Sequence, residues 1–268
     1  TVNKKAEDGK YWHKRLKNAQ FKIDFKIPKR SFDISNRGHC IRFYIDTLMT
    51  KSLKCFIRQQ KTTFFIFLLT VFDIFLYRYT GQNDIIISYP TTTRPPKFRF
   101  LMGFFVNNTL MRTILNPSLN FIELLHQVGI NQWEDRLHKR YPFNELVKDM
   151  RKEIGKNVTL GNVALGQTAF GTKQLEFKDM VIEPVLDMDY GEVLNDLTLL
   201  YDFDKQADVI ELAFEYRFDI FDRFFIKNMT EHLQTLIIKL IEEPYTPISK
   251  IPIPSSKELK TIEYWNST

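Results

Sequence analysis

The apolar run at residues 64–72 constrains the fold more than any other feature of this chain. With a start at Thr62 or Thr63 and a stop at Gly81, it predicts a helix whose apolar side chains surround nearly the whole cylinder. A helix that is apolar all round lies buried inside a domain. The run is too short to span a bilayer, and Asp73 closes it, so a core helix is the prediction.

Periodicity along the rest of the chain predicts an α+β fold, with a helical first part followed by strands mixed with helices. Residues 1–243 form one predicted core, and the proline-rich residues 244–268 predict an extended arm or the start of a linker. The other predicted helices cover residues 7–19, 46–60, 120–139, 143–154 and 222–243. The predicted extended segments are 21–28, 41–45, 85–87, 104–115, 163–170, 181–186 and a hairpin of 194–203 with 209–218, and residues 90–96 are a predicted loop.

Charge and cysteine content narrow the possible functions. The net charge is +6 and the isoelectric point about 9.1. Because Lys and Arg are spread along the chain, they are interpreted as a solvated basic surface, and neither nucleic acid nor a membrane is expected as a partner. The alternative interpretation is that the positive charge attracts and orients an acidic protein partner. Cys40 and Cys55 are too few for a disulfide framework or a metal site, so no metal is expected. The polar residues 1–10 do not resemble a signal peptide, and a cytoplasmic setting is predicted.

Residues suited to catalysis are scarce. Common motifs of nucleophilic, nucleotide-binding and metallopeptidase sites do not occur. Acidic clusters at residues 187–189 and 202–204 are interpreted as solvated turns, and no catalytic residue is predicted. The five histidines are isolated from one another and from other metal-binding residue types: His13, His39, His126, His138 and His232.

Two short motifs allow both a structural and a functional interpretation. Residues 138–143 predict a corner between two helices, in which Pro142 sets the turn and the aromatic residues beside it fill the core. His138 is also placed to orient a loop by hydrogen bonding. In residues 103–107 the glycine allows close backbone approach, and Asn107 is suited to bond a carbonyl or a loop backbone.

A series of short segments follows one order and spacing. They are residues 12–16 (WHKRL), 63–69 (TFFIFLL), 78–84 (RYTGQND), 90–94 (PTTTR), 103–107 (GFFVN), 138–147 (HKRYPFNELV), 195–199 (NDLTL), 216–221 (YRFDIF) and 265–268 (WNST). Together they resemble the acceptor-side half of a condensation domain from nonribosomal peptide synthetases, over roughly residues 10–268. The catalytic signature of that family, two adjacent histidines followed shortly by Asp-Gly, is absent from this chain.

The resemblance implies the C-terminal lobe of a two-lobed fold similar to chloramphenicol acetyltransferase, with a mixed sheet flanked by helices. In such domains, peptidyl carrier proteins bring phosphopantetheine-tethered thioesters to a tunnel between the lobes. The acceptor amine attacks the donor thioester, and the paired histidines of the first lobe position the amine or take its proton. The lobe alone is therefore expected to be inactive.

The same resemblance implies the partners of this lobe. It binds no cofactor directly, because phosphopantetheine arrives on the donor and acceptor carrier proteins. The other implied partners are the N-terminal lobe and a downstream adenylation domain. This lobe would supply a tunnel wall, a strand bridging to the other lobe and part of the acceptor-carrier docking surface. Separation from the first lobe leaves a predicted exposed apolar face.

The resemblance also implies a set of candidates for the tunnel wall and its support. Tyr89 departs from the family, which often has a small hydroxyl residue there, so its phenol would narrow the tunnel or donate a hydrogen bond to the substrate. Lys139 and Arg140 replace a Gln-Asp pair and reverse the local charge. The candidates are Tyr89, Arg94, Gly103, Asn107, His138 and Gln167.

Three alternatives follow from the same fold. Epimerization domains usually have Trp-Phe-Thr where this chain has residues 105–107 (FVN), so peptide bond formation is preferred. A lobe of a coenzyme A-dependent acyltransferase is the second alternative. A non-catalytic platform for carrier-protein docking is the third, and the departures at Tyr89, Lys139 and Arg140 favour it.

Overall fold

The computed structural model describes residues 2–27, 37–155, 159–168, 191–204, 208–254 and 258. Within these ranges the chain forms six α-helices and six β-strands. The helices are α1 (Val2–Leu16), α2 (Thr47–Gln59), α3 (Phe64–Thr80), α4 (Phe121–Leu137), α5 (Phe143–Ile154) and α6 (Arg223–Glu242). The strands are β1 (Gly38–Ile45), β2 (Asp84–Thr92), β3 (Val106–Ile114), β4 (Val163–Gln167), β5 (Leu197–Asp204) and β6 (Val209–Arg217), and short 3-10 turns occupy Pro96–Phe98 and Ile248–Lys250.

Capping side chains set the starts of four helices. Asp46, Thr63 and Asp222 each accept a hydrogen bond from the backbone amide three residues later. Asn120 forms a reciprocal capping box with the third residue of α4. Gly81 ends α3 with a φ of 74°, a left-handed conformation that glycine adopts without steric cost. These local signals confirm the predicted starts at these four positions and the predicted stop at Gly81.

The strands form one mixed six-stranded sheet in the order β1-β6-β5-β4-β2-β3. Strand β4 runs parallel to both β2 and β5, and the remaining pairs are antiparallel. The predicted hairpin of β5 and β6 is confirmed, with Leu199 opposite Phe214 in its register. The fold is therefore α+β with a mixed sheet, as predicted.

Some predicted boundaries are wrong. Strand β2 continues through Thr92 instead of ending before Pro90, because residues 90–92 pair with the start of β3. Strand β3 begins at Val106, not at Phe104, because the preceding residues form a separate loop. Helix α1 ends at Leu16 instead of Ala19, and Asn18 adopts a φ of 56°. The predicted strand at residues 181–186 lies outside the described residues.

Helix α3 lies in the main core, as its composition predicts. Its residues from Phe67 to Leu76 have no exposed surface, and Phe72 and Phe75 pack against Phe214 of β6. Helices α4 and α6 contribute to the same core. Among the described residues, no single helix has the length and apolar composition to cross a membrane. Helices α2 and α3 have the required length and composition only when taken together, and the pair is bent by 103°.

A smaller core lies elsewhere in the molecule and includes residues of α1, α5, β2 and β3. Trp12 and Leu16 of α1 belong to it together with Ile86 and Leu110, which are central residues of β2 and β3. Neighbours of these two strand residues, Ile87 and Met111, belong to the main core instead. Side chains alternate between the faces of a strand, so β2 and β3 carry a core on each face.

Candidate functional site

Asn107 joins the start of β3 to the corner between α4 and α5. Its Nδ2 donates to the carbonyl oxygens of Lys139, at 2.9 Å, and Tyr141, at 2.8 Å. Its Oδ1 accepts from the amide of Phe143 at 3.2 Å. One amide side chain thus satisfies three backbone groups in a turn that links two helices. The expectation that this asparagine bonds a loop backbone is confirmed.

His138 fixes the same corner to α1. Its Nδ1 lies 2.7 Å from a carboxylate oxygen of Asp8, which is almost fully buried. Its ring stacks on Tyr11 with centroids 3.9 Å apart, and its carbonyl accepts from Nε1 of Trp12 at 3.1 Å. The role of His138 in the described contacts is therefore to hold a corner, in agreement with the structural interpretation of this motif.

Arg94 organises the loop between β2 and β3. Its guanidinium donates to the carbonyl oxygens of Phe98, at 3.0 Å, and Gly103, at 3.2 Å, and also to that of Leu101. The same group lies 4.0 Å from the centre of the Phe105 ring. A planar fork that reaches three carbonyls at once fixes the loop backbone, and a lysine in this position has no equivalent geometry.

Tyr89 and Gln167 lie on strands of the sheet. Tyr89 is only 5% exposed, and its ring centre lies 5.0 Å from that of Phe65 on α3. Burial raises the pKa of Tyr89, and the nearby charge of Asp135 adds to the rise, so the phenol stays protonated. Gln167 ends β4 with an exposed side chain. In the β2–β3 pairing, Tyr89 lies opposite Thr109, two residues beyond Asn107.

The structure thus brings four of the six candidates into two groups. Asn107 and His138 meet at the α4–α5 corner, while Arg94 and Gly103 meet in the loop that leads into β3. No described contact joins Tyr89 or Gln167 to either group. The assignment of all six to a tunnel wall remains a prediction.

Arg112, which no sequence motif pointed out, fixes α1 against the sheet. Its guanidinium makes a bidentate pair with Asp84 of β2, with both distances 2.8 Å. It also donates to the carbonyl oxygens of Arg15 and Lys17 at the end of α1. The sequence does contain a signal for this pair, which is an arginine inside an otherwise buried strand. A buried guanidinium needs a carboxylate partner, and a bidentate pair satisfies it best.

A second buried ion pair lies on α4. The carboxylate of Asp135 has no exposed surface and accepts from Tyr11, at 2.6 Å, and from Arg15, at 3.0 Å. Burial raises the pKa of Asp135, and the hydrogen bond from Arg15 opposes this rise. Together with Arg112, this network ties α1 to β3 and α4.

Two apolar surfaces remain uncovered among the described residues. The first, called here the β2–β3 loop surface, consists of Phe98, Phe100, Leu101, Met102 and Phe104. Phe100, Met102 and Phe104 are 88%, 97% and 89% exposed. Scattered exposed apolar residues are ordinary, but a contiguous group of large ones marks an interaction surface. The predicted exposed apolar face is confirmed.

The second surface, called here the α4 stripe, consists of Ile130, Trp133 and Leu137. These residues follow helical spacing and are each more than half exposed. Arg136 and Arg140 lie beside the stripe, and in the described part of the chain neither side chain forms an ion pair. Burial and the charges of these two arginines lower the pKa of Lys139. The C-terminal end of α4 is therefore both apolar and positively charged.

A model of the condensation domain family matches residues 2–263. The chain belongs to this family. It is 30% identical over 274 residues to a linear gramicidin synthase protein of Brevibacillus parabrevis, covering 98% of this chain but only 5% of that protein. The chain therefore spans only a small part of the length of this relative.

Solved structures share the fold. The X-domain from teicoplanin biosynthesis superposes with a TM-score of 0.80 at 18% identity, covering 93% of this chain and 57% of that one. The first condensation domain of the calcium-dependent antibiotic synthetase, in complex with a substrate analogue, gives a TM-score of 0.73 at 15% identity, covering 94% and 54%. These neighbours confirm the predicted fold, a chloramphenicol acetyltransferase-like lobe with a mixed sheet flanked by helices.

Proposed function

We propose that this chain is the C-terminal, acceptor-side lobe of a condensation domain that forms peptide bonds in a cytoplasmic nonribosomal peptide synthetase. The observation that carries the proposal is coverage. The chain aligns over more than nine-tenths of its own length, yet it spans only 54% to 57% of these two solved chains. A chain that forms one lobe of a two-lobed domain would cover about this share of a complete domain. We therefore propose that the other lobe, the first in chain order, is a partner of this chain.

The β2–β3 loop surface supports a partner lobe. Arg94 holds the loop backbone in place, so the exposed aromatic residues are presented on a fixed support. Burying one large apolar side chain contributes about 1.5–3 kcal/mol of stabilisation. The lobe alone lacks this contribution at Phe100, Met102 and Phe104, and a partner lobe that covers them would supply it. We assign this surface to the contact with the N-terminal lobe.

We assign the proton-transfer base to the first lobe, because no two histidines of this chain are adjacent and the paired-histidine signature of the family is therefore absent from it. In the proposed reaction, the acceptor amine attacks the donor thioester carbonyl, the C–N bond forms and the phosphopantetheine thiolate leaves. The proton lost from the amine goes to a histidine of the first lobe. This lobe positions the acceptor and excludes water.

The α4 stripe is our candidate for the acceptor-carrier docking surface. Carrier proteins are usually acidic, and the cations at residues 136, 139 and 140 complement that charge. Opposite charge speeds encounter and orients the partner, while a central Trp133 offers the kind of anchor that dominates binding energy. Phosphopantetheine would enter on this carrier and would not be a resident cofactor of the lobe.

Reconstitution tests the proposed function. The 268-residue chain is compared with the same chain fused to the first lobe of its own gene product, using donor and acceptor carrier proteins loaded with aminoacyl thioesters. Mass spectrometry of the acceptor carrier detects the dipeptide. We expect product only from the fusion, at least about 100-fold above the chain alone, because general base catalysis contributes roughly that much. Equal rates from the two proteins would falsify the proposal.

One observation favours a second candidate. The starter condensation domain of rhizomide synthetase, which shares this fold, has been solved in complex with C8-CoA. A lobe that serves a coenzyme A thioester is therefore the alternative donor class. Replacing the donor carrier by an acyl-coenzyme A in the same assay separates the two. Product from acyl-coenzyme A alone would assign the chain to the acyltransferase class.

A further inference from the structure

The segment after α6 is packed into the domain. The amide of Ile248 donates to the carbonyl of Leu119 at 2.9 Å, and Arg78 of α3 donates to the carbonyl of Ser249 at 2.9 Å. Ile248, Ile251 and Ile253 are all buried. These contacts hold residues 248–253 against α3 and the residues before α4. The domain boundary predicted after residue 243 remains a prediction.

Beyond this anchored part, Glu258 is held by a chain of hydrogen bonds. The hydroxyl of Tyr79 on α3 lies 2.5 Å from Nδ1 of His232 on α6. Nε2 of the same imidazole lies 2.6 Å from a carboxylate oxygen of Glu258. The ring of Tyr79 packs against Phe75 and Phe225, which fixes its orientation.

The direction of these hydrogen bonds follows from the groups at the two ends. The carboxylate of Glu258 can only accept, so Nε2 of His232 carries the hydrogen and donates a charge-assisted bond to it. Burial raises the pKa of Tyr79, and the negative charge of Glu258 adds to the rise, so the phenol keeps its proton. The hydroxyl is then placed to donate a hydrogen bond to Nδ1 of His232.

We propose that Tyr79, His232 and Glu258 form a clasp that fixes the direction in which the chain leaves the domain. The clasp ties the segment to two core helices, α3 and α6, at a point five residues after the buried Ile253. A free linker would let a following domain move independently. A clasped segment instead transmits the orientation of α6 to whatever follows it.

The two ring nitrogens of His232 allow a matched pair of variants. An asparagine places its amide near the position of Nδ1, and a glutamine places its amide near the position of Nε2. His232→Asn therefore keeps a group beside Tyr79 and loses the contact with Glu258. His232→Gln keeps the contact with Glu258. Glu258→Ala removes the same contact from the other side.

Limited trypsin digestion of the full 268-residue chain tests the clasp. Lys257 and Lys260 flank Glu258 and provide cleavage sites. We expect cleavage there to be about tenfold faster in His232→Asn and in Glu258→Ala, the effect of losing one charge-assisted hydrogen bond. His232→Gln should stay near the wild-type rate. The double variant that combines His232→Asn with Glu258→Ala should be cleaved no faster than either single variant, because the two changes remove the same interaction.

Controls separate the clasp from general instability. The thermal midpoint of each variant is measured beside the cleavage rate, and hydrogen exchange at residues 121–137 reports on the core. His126→Asn is the matched control, since His126 is exposed on α4 and makes no hydrogen bond through its side chain among the described residues. Unchanged cleavage in His232→Asn and Glu258→Ala, or additive effects in the double variant, would overturn the proposal.

Discussion

At the scale of single residues, Asp73 makes stability depend on pH. Its carboxyl is fully buried within α3, and the hydroxyl of Thr113 donates to it at 2.7 Å. Burial raises the pKa of Asp73 to about 8, against an ordinary value of 3.8. Between these values the unfolded chain releases the proton and the folded chain keeps it. Stability from this group therefore falls as pH rises from about 4 to 8.

Asp73→Asn should remove this pH dependence. Within the window, the free energy of unfolding of the wild type should lose up to about 1.4 kcal/mol per pH unit from this group, and the variant should lose none of it. Urea denaturation at several pH values across this window measures both. Glu231→Gln, an exposed change on α6, is the control and should leave the slope unaltered. A variant slope equal to the wild-type slope would contradict the assignment.

The sequence indicated the environment of Asp73 but not its partner. Apolar side chains all around α3 predicted burial, and Asp73 was the one acidic residue at the end of the apolar run. Its bond to Thr113 depends on the packing of α3 against β3, a contact between segments far apart in the chain. The Arg112–Asp84 pair could not be predicted for the same reason. Contacts between β2 and β3 depend on the register of the two strands, which the sequence alone does not give.

At the scale of elements, the α4–α5 corner depends on Asn107. Asn107→Asp should destabilise the protein more than Asn107→Ala, because a carboxylate has no donor for the carbonyls of Lys139 and Tyr141 and repels them. We expect about 1–3 kcal/mol for the alanine variant, the cost of unpaired backbone groups. Chemical denaturation gives these values, and hydrogen exchange at the Phe143 amide should accelerate in the alanine variant.

Asn108 provides the control for this prediction. It is the next residue of β3, its side chain is exposed, and in the described ranges that side chain makes no hydrogen bond. Asn108→Asp should change stability by less than about 0.5 kcal/mol, the usual range for surface substitutions. Equal losses from the Asn107 and Asn108 variants would show that the corner does not rely on the Asn107 amide.

Local signals also determine which elements were predictable. Helix starts at Asp46, Thr63, Asn120 and Asp222 depend on side-chain caps within three residues, so the sequence predicts them closely. The end of β2 was missed because residues 90–92 become a strand only through pairing with β3. The aromatic residues 104 and 105 have strand propensity, yet Arg94 draws the preceding backbone into a loop.

At the scale of the whole molecule, the uncovered β2–β3 loop surface should cause self-association. Phe104→Ser, at a side chain that is 89% exposed, should lower the average mass of the chain in sedimentation velocity at micromolar concentration. Leu48→Ser on α2, at a side chain 78% exposed outside this surface, should have little effect. Fusion to the first lobe should suppress association as Phe104→Ser does. Association that is unaffected by both would place the contact elsewhere.

Carrier docking at the α4 stripe gives a separate prediction for the whole molecule. Trp133→Ala should weaken binding of an acidic peptidyl carrier domain by about 30-fold, the loss typical of a central aromatic anchor. Arg140→Glu should slow association and reduce its dependence on salt, because a charge at the rim acts mainly on encounter. Isothermal titration and stopped-flow fluorescence measure the two effects.

The control for docking keeps the change in net charge constant. Lys227→Glu on α6 changes the charge of the chain as much as Arg140→Glu does, at an exposed position away from the stripe. If the carrier responds to net charge alone, both reversals slow association equally, and the docking assignment fails. If only Arg140→Glu does so, the cations at the end of α4 act locally. The proposed peptide bond formation by the two-lobed fusion would survive the first result, because we assign proton transfer to the first lobe and not to the docking surface.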